Sequence, residues 1–211
     1  TKYCSTTRTL ESVLHLVHVL KEDCGLRVIV NFFGAFGLAC SAAGAEIWGS
    51  GWYKSETRLR LDDKYATGRA YPTYWSHLGA ADVHLEEELD WLNRGGHLAH
   101  VADDTAASRD LLAALRAGRL VETVPDWRYA QSNISSASEH FFLAAMREDA
   151  ALAQALAATG SGADHTQQWL DRAAVFTTWL RQAREQALKT RVGHVESWAA
   201  GLRSHIVRHG P

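Results

Sequence analysis

The sequence predicts an α/β fold: a mainly parallel sheet of four or five strands in an α/β core over residues 1–125, followed by a helical C-terminal segment over 126–211 packed on it. Three observations carry that expectation. Short β-branched or aromatic runs alternate with helical-period segments between Leu26 and Val124, and parallel neighbours need crossover connections that helices supply. Beyond Pro125 the periodicity is helical only. With 46% apolar residues, 22% charged and eight tryptophans, the chain can bury one substantial core and lacks the polar bias that leaves chains disordered.

The first element is an amphipathic helix from Thr9 to Cys24. Leu10, Val13, Leu14, Val17 and Leu20 recur at helical spacing, with Thr9 placed to cap and Gly25 to stop. Leu26 to Val30 reads as a strand ending at Asn31, and Gly34 to Ala42 as a helix of small residues that packs closely. Glu46 to Tyr53 is a second strand, whose Gly49 and Gly51 allow close backbone approach. Arg58 to Arg69 reads as a charged surface loop. Ala70 to Ser76 is a third strand, with Pro72 at its start or edge. A helix over Leu85 to Asn93, with acids in its first turn and Gly95-Gly96 after it, leads to a fourth strand, His97 to Ala102. Asp103, Asp104 or Thr105 caps a helix through Leu111, Leu112 and Leu115 that Gly118 ends, and Leu120 to Val124 is a fifth strand.

The helical segment has three parts. Ser136 and Glu139 have capping-box spacing and open a helix through Phe142, Met146 and Leu152. Gly160-Ser161-Gly162 breaks the chain before a long helix with Trp169, Ala173, Phe176, Leu180, Ala183 and Ala187 on one stripe. A last helix carries Val195, Trp198, Leu202 and Ile206.

The stretch from Val28 to Ser50, a strand, a helix of small residues and a second strand, resembles a unit of a (β/α) barrel. The resemblance is architectural and covers about two dozen residues. It implies a TIM-barrel-like arrangement, but a full eight-stranded barrel takes about 250 residues. A barrel fragment, an open sheet and part of a longer chain all accommodate the pattern.

Charge and cysteine content narrow the function classes. A net charge of −2 argues against general attraction to nucleic acid or anionic membranes. Three cysteines without close spacing suggest neither a disulfide framework nor a four-thiolate zinc site, so reduced, buried thiols are expected. No apolar run reaches the length of a bilayer span, and Thr1 to Arg8 leads into no signal-peptide core, so a cytoplasmic protein is expected. Five lysines against seventeen arginines, with abundant alanine, read as GC-rich bacterial coding.

In parallel α/β folds ligands gather at the carboxyl ends of strands, and that rule selects the candidate site. Asn31, Lys54, His77, Asp103 and Asp104 are the candidate catalytic residues, with Tyr53, Glu56 and Ser76 as candidate substrate contacts. Carboxylates and histidine are the usual acid/base groups, and lysine stabilises an anion. The plain alternative is that Asp104 caps a helix, His77 lies in a solvated loop, and Lys54 pairs with Glu56.

Other constellations have simpler explanations. His97, His100, Asp103 and Asp104 share a face only if that stretch is helical, and as a strand it points the two histidines oppositely, so no metal is assigned. Glu11, His15, His18 and Glu22 form a stripe away from the apolar positions and read as a solvated face. Gly34 and Gly37 lack both the Rossmann spacing and a Walker lysine, and read as close helix packing. The segment from Leu170 to Pro211 carries seven basic residues against three acids, +4 locally and −6 on the remainder, which admits nucleic acid at the basic C-terminal helices. A solvated face suits those arginines better.

Two functions follow from these residues. The first is an enzyme acting on a small polar substrate by acid/base chemistry, as hydrolase, lyase or transferase, with no particular cofactor implied. The second is a non-catalytic subunit of a bacterial multi-protein assembly that binds a protein partner through its tryptophan-rich helices.

Overall fold

The computed structural model of the chain describes residues 6–31, 33–50, 73–128, 135–183, 190 and 192–210. Of the described residues 69% are helical and 8% are strand, in two two-stranded sheets. The expected parallel sheet of four or five strands, and with it the TIM-barrel-like reading, is therefore corrected. The helical C-terminal segment is present.

The described chain divides into two compact units, each drawn from separate stretches of sequence. Unit 1 comprises Thr1–Leu59, Met146–Val175 and Gly193–Pro211, and unit 2 comprises Arg60–Ala145 and Phe176–Val192.

In unit 1, helix α1 (Thr7–His18) continues as a π-helical turn, Val19–Asp23, before Gly25 takes a positive φ of 64° and turns the chain. Its buried residues are Leu10, Leu14 and Val17, a subset of the apolar stripe read from the sequence. Strand β1 (Ile29–Asn31), helix α2 (Gly37–Ala42) and strand β2 (Ile47–Gly49) follow, and β1 pairs with β2 in parallel, Val30 opposite Trp48. The strand-helix-strand unit is thus real, yet among the described residues it stays a two-stranded pair. Ile29 and Ile47, opposite each other, are both exposed, so one face of the pair has no layer over it among the described residues. Helix α7 (Gly193–His209) packs along α1, and a Cβ at Gly201 would stand 3.2 Å from Leu10 Cβ, which is why glycine suits that crossing. Trp198 is buried against Phe36, with ring centroids 5.4 Å apart.

Unit 2 opens with an antiparallel hairpin, β3 (Thr73–Ser76) paired with β4 (Ala81–His84). The four-residue turn between them closes through the Ala80 amide donating to His77 O, with Ala80 at φ 47°. β4 was not expected from the sequence, because Ala-Asp-Val-His has neither a β-branched run nor an apolar alternation. It is nonetheless buried along its length.

Two expected strands are 3₁₀ turns instead. In Leu98–His100 and Val121–Thr123, burial falls on Leu98 and Val101, and on Val121 and Val124, a step of three rather than two. That spacing suits a helical turn and not a pleated strand. Between them α4 (Arg109–Arg116) buries Leu111, Leu112 and Leu115 and ends before Gly118 at φ 72°. Upstream, a π-helical turn, Leu85–Leu89, runs into α3 (Asp90–Arg94). Tyr74, Val83, Leu89, Leu92, Leu112 and Trp127 all belong to the resulting core.

Helices α5 (Ser135–Thr159) and α6 (Ala163–Ala183) contribute residues to both units. Gly160 at φ 73° ends α5, its amide donating to Leu156 O, and Gly162 lets the next turn lie against Leu152. No helix among the described residues is long and apolar enough to cross a membrane.

Candidate functional site

The end of β3 is where three of the expected site residues, Ser76, His77 and Asp103, come together, though for a different reason than expected. Because β3 and β4 are antiparallel, the rule about carboxyl edges of parallel strands does not apply there. What gathers the residues is the loop Asp103–Ser108, which folds against β3 ahead of α4.

Tyr74 organises the contact. Its hydroxyl donates to Asp103 O at 2.9 Å and accepts the Asp103 amide at 2.7 Å, tying the strand to the loop in both directions. The Asp103 carboxylate turns back to accept the His77 amide through Oδ2 at 2.5 Å. Ser76 Oγ accepts the Gly79 amide at 3.1 Å, so both Ser76 and His77 help to shape the hairpin turn.

The loop is held by its own hydroxyls. The Thr105 amide donates to Ser108 Oγ at 3.0 Å, the Ser108 amide to Thr105 Oγ1 at 3.2 Å, and Ser108 Oγ donates to Asp103 O at 2.7 Å. The two reciprocal Thr105–Ser108 bonds are those of a capping box, so of the three expected caps it is Thr105 that closes the turn ahead of α4, which starts at Arg109.

His140 completes the arrangement from α5. Its Nε2 lies 2.8 Å from Trp75 O, and a carbonyl only accepts, so Nε2 carries the proton. Nδ1 is then the acceptor, and the Thr105 hydroxyl 2.8 Å away donates to it. The imidazole stacks on the Tyr74 ring with centroids 4.4 Å apart. Ser76, Ser108 and His140 have no exposed surface, and His77, Asp103 and Thr105 are each at most 8% exposed. A hydroxyl paired with an imidazole whose other nitrogen is fixed by a third group is the arrangement that activates a hydroxyl oxygen.

The other expected residues stand apart from this cluster. Asp104 is exposed beside it. Asn31 lies in unit 1, exposed, with its amide oxygen where a side chain at Gly49 would go. Tyr53, Lys54 and Glu56 lie outside the described residues. Ser108 and His140 were not singled out from the sequence, and Thr105 only as a candidate helix cap. They belong to unrelated segments, and the one local signal was the Thr-x-x-Ser spacing ahead of a helix.

Two histidine groups complete the inventory. His97 and His100 meet Trp179 and Phe176 in unit 2, with His97 to Trp179 at 4.8 Å between centroids, rather than Asp103 and Asp104. In unit 1, His15 and His18 on α1 meet His205 and His209 on α7, so the stripe read as a solvated face is partly an interhelical contact. Among the described residues no group of three or more His, Cys, Asp or Glu side chains is arranged to hold a metal ion. Of the cysteines, Cys40 is buried as expected of a structural thiol, whereas Cys24 is exposed.

Comparison with protein-family models, with curated proteins and with solved structures finds no match to this chain.

Proposed function

We propose that the protein is an enzyme that acts on a small polar substrate by acid/base chemistry, with its site at the end of β3. The Thr105–His140 pair is the observation that carries this reading. The imidazole is held in the tautomer that accepts a proton from the hydroxyl, and Asp103, His77 and Ser76 stand in the same cluster. In this reading His140 is the base, and Asp103 holds the loop that presents Thr105. Group transfer and hydrolysis suit a hydroxyl–imidazole pair better than lyase chemistry.

The test is turnover of a panel of small esters, amides and phosphoesters by the wild type and by Thr105→Ala, His140→Gln and Asp103→Asn. Loss of a general base costs about 10²–10⁴-fold in rate. A loss of that size, in variants that keep the wild-type circular dichroism, supports the reading. Folded variants with full activity remove it, as does a wild type inert across the panel.

A second reading, a subunit that binds a protein partner, draws on a different place than the sequence suggested. Trp169 and Trp198 are buried and unavailable to a partner, while Trp91, Phe176 and Trp179 are half-buried around His97 and exposed His100 in unit 2. Native mass of protein purified from its own host tests this: a co-purifying polypeptide lost in Trp179→Ala supports it, and a monomer of chain mass does not. Of the basic residues in the tail, Arg203 pairs with Asp171 at 2.7 Å, which favours the solvated-face reading over nucleic acid.

A further inference from the structure

Four of the chain's eleven histidines meet at one end of the α1–α7 pair. His15 Nδ1 lies 3.1 Å from His209 Nε2, and the two rings are near-parallel at 13°. His18 stacks on His209 with centroids 3.9 Å apart, and its edge meets His205 at 5.7 Å. His205 in turn lies 4.9 Å from His209 and is 7% exposed, with its Nδ1 buried and without a hydrogen-bond partner. The charged groups whose fields reach the rings are Arg208 on α7 and Asp23 beyond α1, one of each sign.

Geometry makes this contact sensitive to protons. A neutral imidazole both donates and accepts, so His15 and His209 share one hydrogen bond. Two imidazoliums are donors at all four nitrogens and cannot. Stacked rings at these distances repel once both are charged, with Asp23 the one acid among the described residues near enough to offset them and Arg208 adding to the repulsion. The C-terminal turn of α7 favours one positive charge, not several.

We propose that His15, His18, His205 and His209 form a proton-operated latch between α1 and α7, closed when the imidazoles are neutral and released by mild acid. Burial, followed by the charges of its histidine neighbours, pushes the His205 ring down to about 4, and the same causes lower His209. A histidine depressed in the folded state binds its proton more readily in the unfolded chain. The stability it contributes is complete above the unfolded value of about 6.5 and is lost as pH falls from there toward about 4. Each such group costs tenfold in the folding constant per pH unit across that window.

The full chain, in buffers containing a chelator so that no metal enters the cluster, is unfolded with urea between pH 8 and pH 5. The wild type is compared with His18→Gln and His209→Gln. The expected result is a wild-type folding constant that falls by up to about tenfold per pH unit below pH 6.5 for His205 alone, and a shallower fall in either variant at pH 5.5. Amides of residues 203–209 should lose protection at pH 5.5, after correction for intrinsic exchange, while those of β3 keep it. Should a variant fail to fold, proton titration of the wild-type imidazoles by NMR decides alone: two or more coupled titrations below pH 6 are expected. Equal pH slopes in wild type and variants, α7 amides protected down to pH 5, or four independent titrations near 6.5 would each overturn the latch.

Discussion

Gly37 and Trp48 are in direct contact: a Cβ at position 37 would stand 2.7 Å from the indole Cδ2 and closer still to the neighbouring ring carbon. The indole is itself held in place, its Nε1 donating to Asp149 Oδ1 at 2.9 Å. Gly37→Ala must therefore move either α2 or the ring. Overpacking of this kind costs about 1–3 kcal/mol, and urea unfolding should register that loss. Combining it with Trp48→Leu should recover part of it, since the two substitutions act on one contact.

The Tyr74 hydroxyl serves both backbone groups of Asp103. Tyr74→Phe keeps the ring and its stacking on His140 but strands the buried Asp103 amide, while Asp103 O keeps its bond from Ser108 Oγ. An unsatisfied buried amide costs about 1–3 kcal/mol. A loss of about 1–3 kcal/mol in chemical unfolding, with far-UV circular dichroism unchanged, is the expected outcome.

Asp90 gives a pH dependence of the opposite sign to the histidine latch. Burial raises its carboxyl above the ordinary value, and the hydrogen bond from the Val121 amide offsets this only partly. A carboxyl raised on folding contributes its full stability below the unfolded value near 3.9 and loses it as pH climbs through the folded value. Asp90→Asn, whose amide oxygen can still accept from Val121, should be the more stable protein at pH 7. The advantage should close as pH falls toward 3, which paired unfolding curves at the two pH values would reveal.

Cys40 and Cys24 should react at very different rates. Cys40 has no exposed surface, and burial pushes its thiol up to about 12, whereas Cys24 is exposed. Alkylation at pH 8 followed by peptide mass spectrometry should modify Cys24 within minutes and leave Cys40 untouched until the protein is unfolded. Equal labelling in the native state would contradict the packing of α2.

The sequence showed helices well and sheets poorly, for a physical reason. A helix as long as α5 or α6 repeats its apolar spacing over several turns, so the signal accumulates. The stretches at Leu98 and Val121 offer a single apolar pair each, and in a run of six residues Leu98 and Val101 look like a strand until burial reveals a step of three. The hairpin was half seen, with β3 recognised by its aromatics, because Ala81 to His84 is buried by its partner rather than by its own composition. Ser76, His77 and Asp103 were named from the strand ends. His140 was not, because what gives it a role is contact with Thr105 and Trp75 across long sequence separations. His15 and His18 were read from the sequence as part of one stripe, but only the pairing of α1 with α7 brings them to His205 and His209.

The pairing of α1 with α7 also sets an order in time. The apolar face of α1, with Leu10, Leu14 and Val17, is made close to two hundred residues before its partner helix. At about 5–20 residues per second, the nascent face waits on the order of 10–40 s for residues that can cover it. Closure of unit 1 therefore waits on α7, and the growing chain carries an uncovered helix until α7 emerges, a natural target for chaperones that read short apolar stripes.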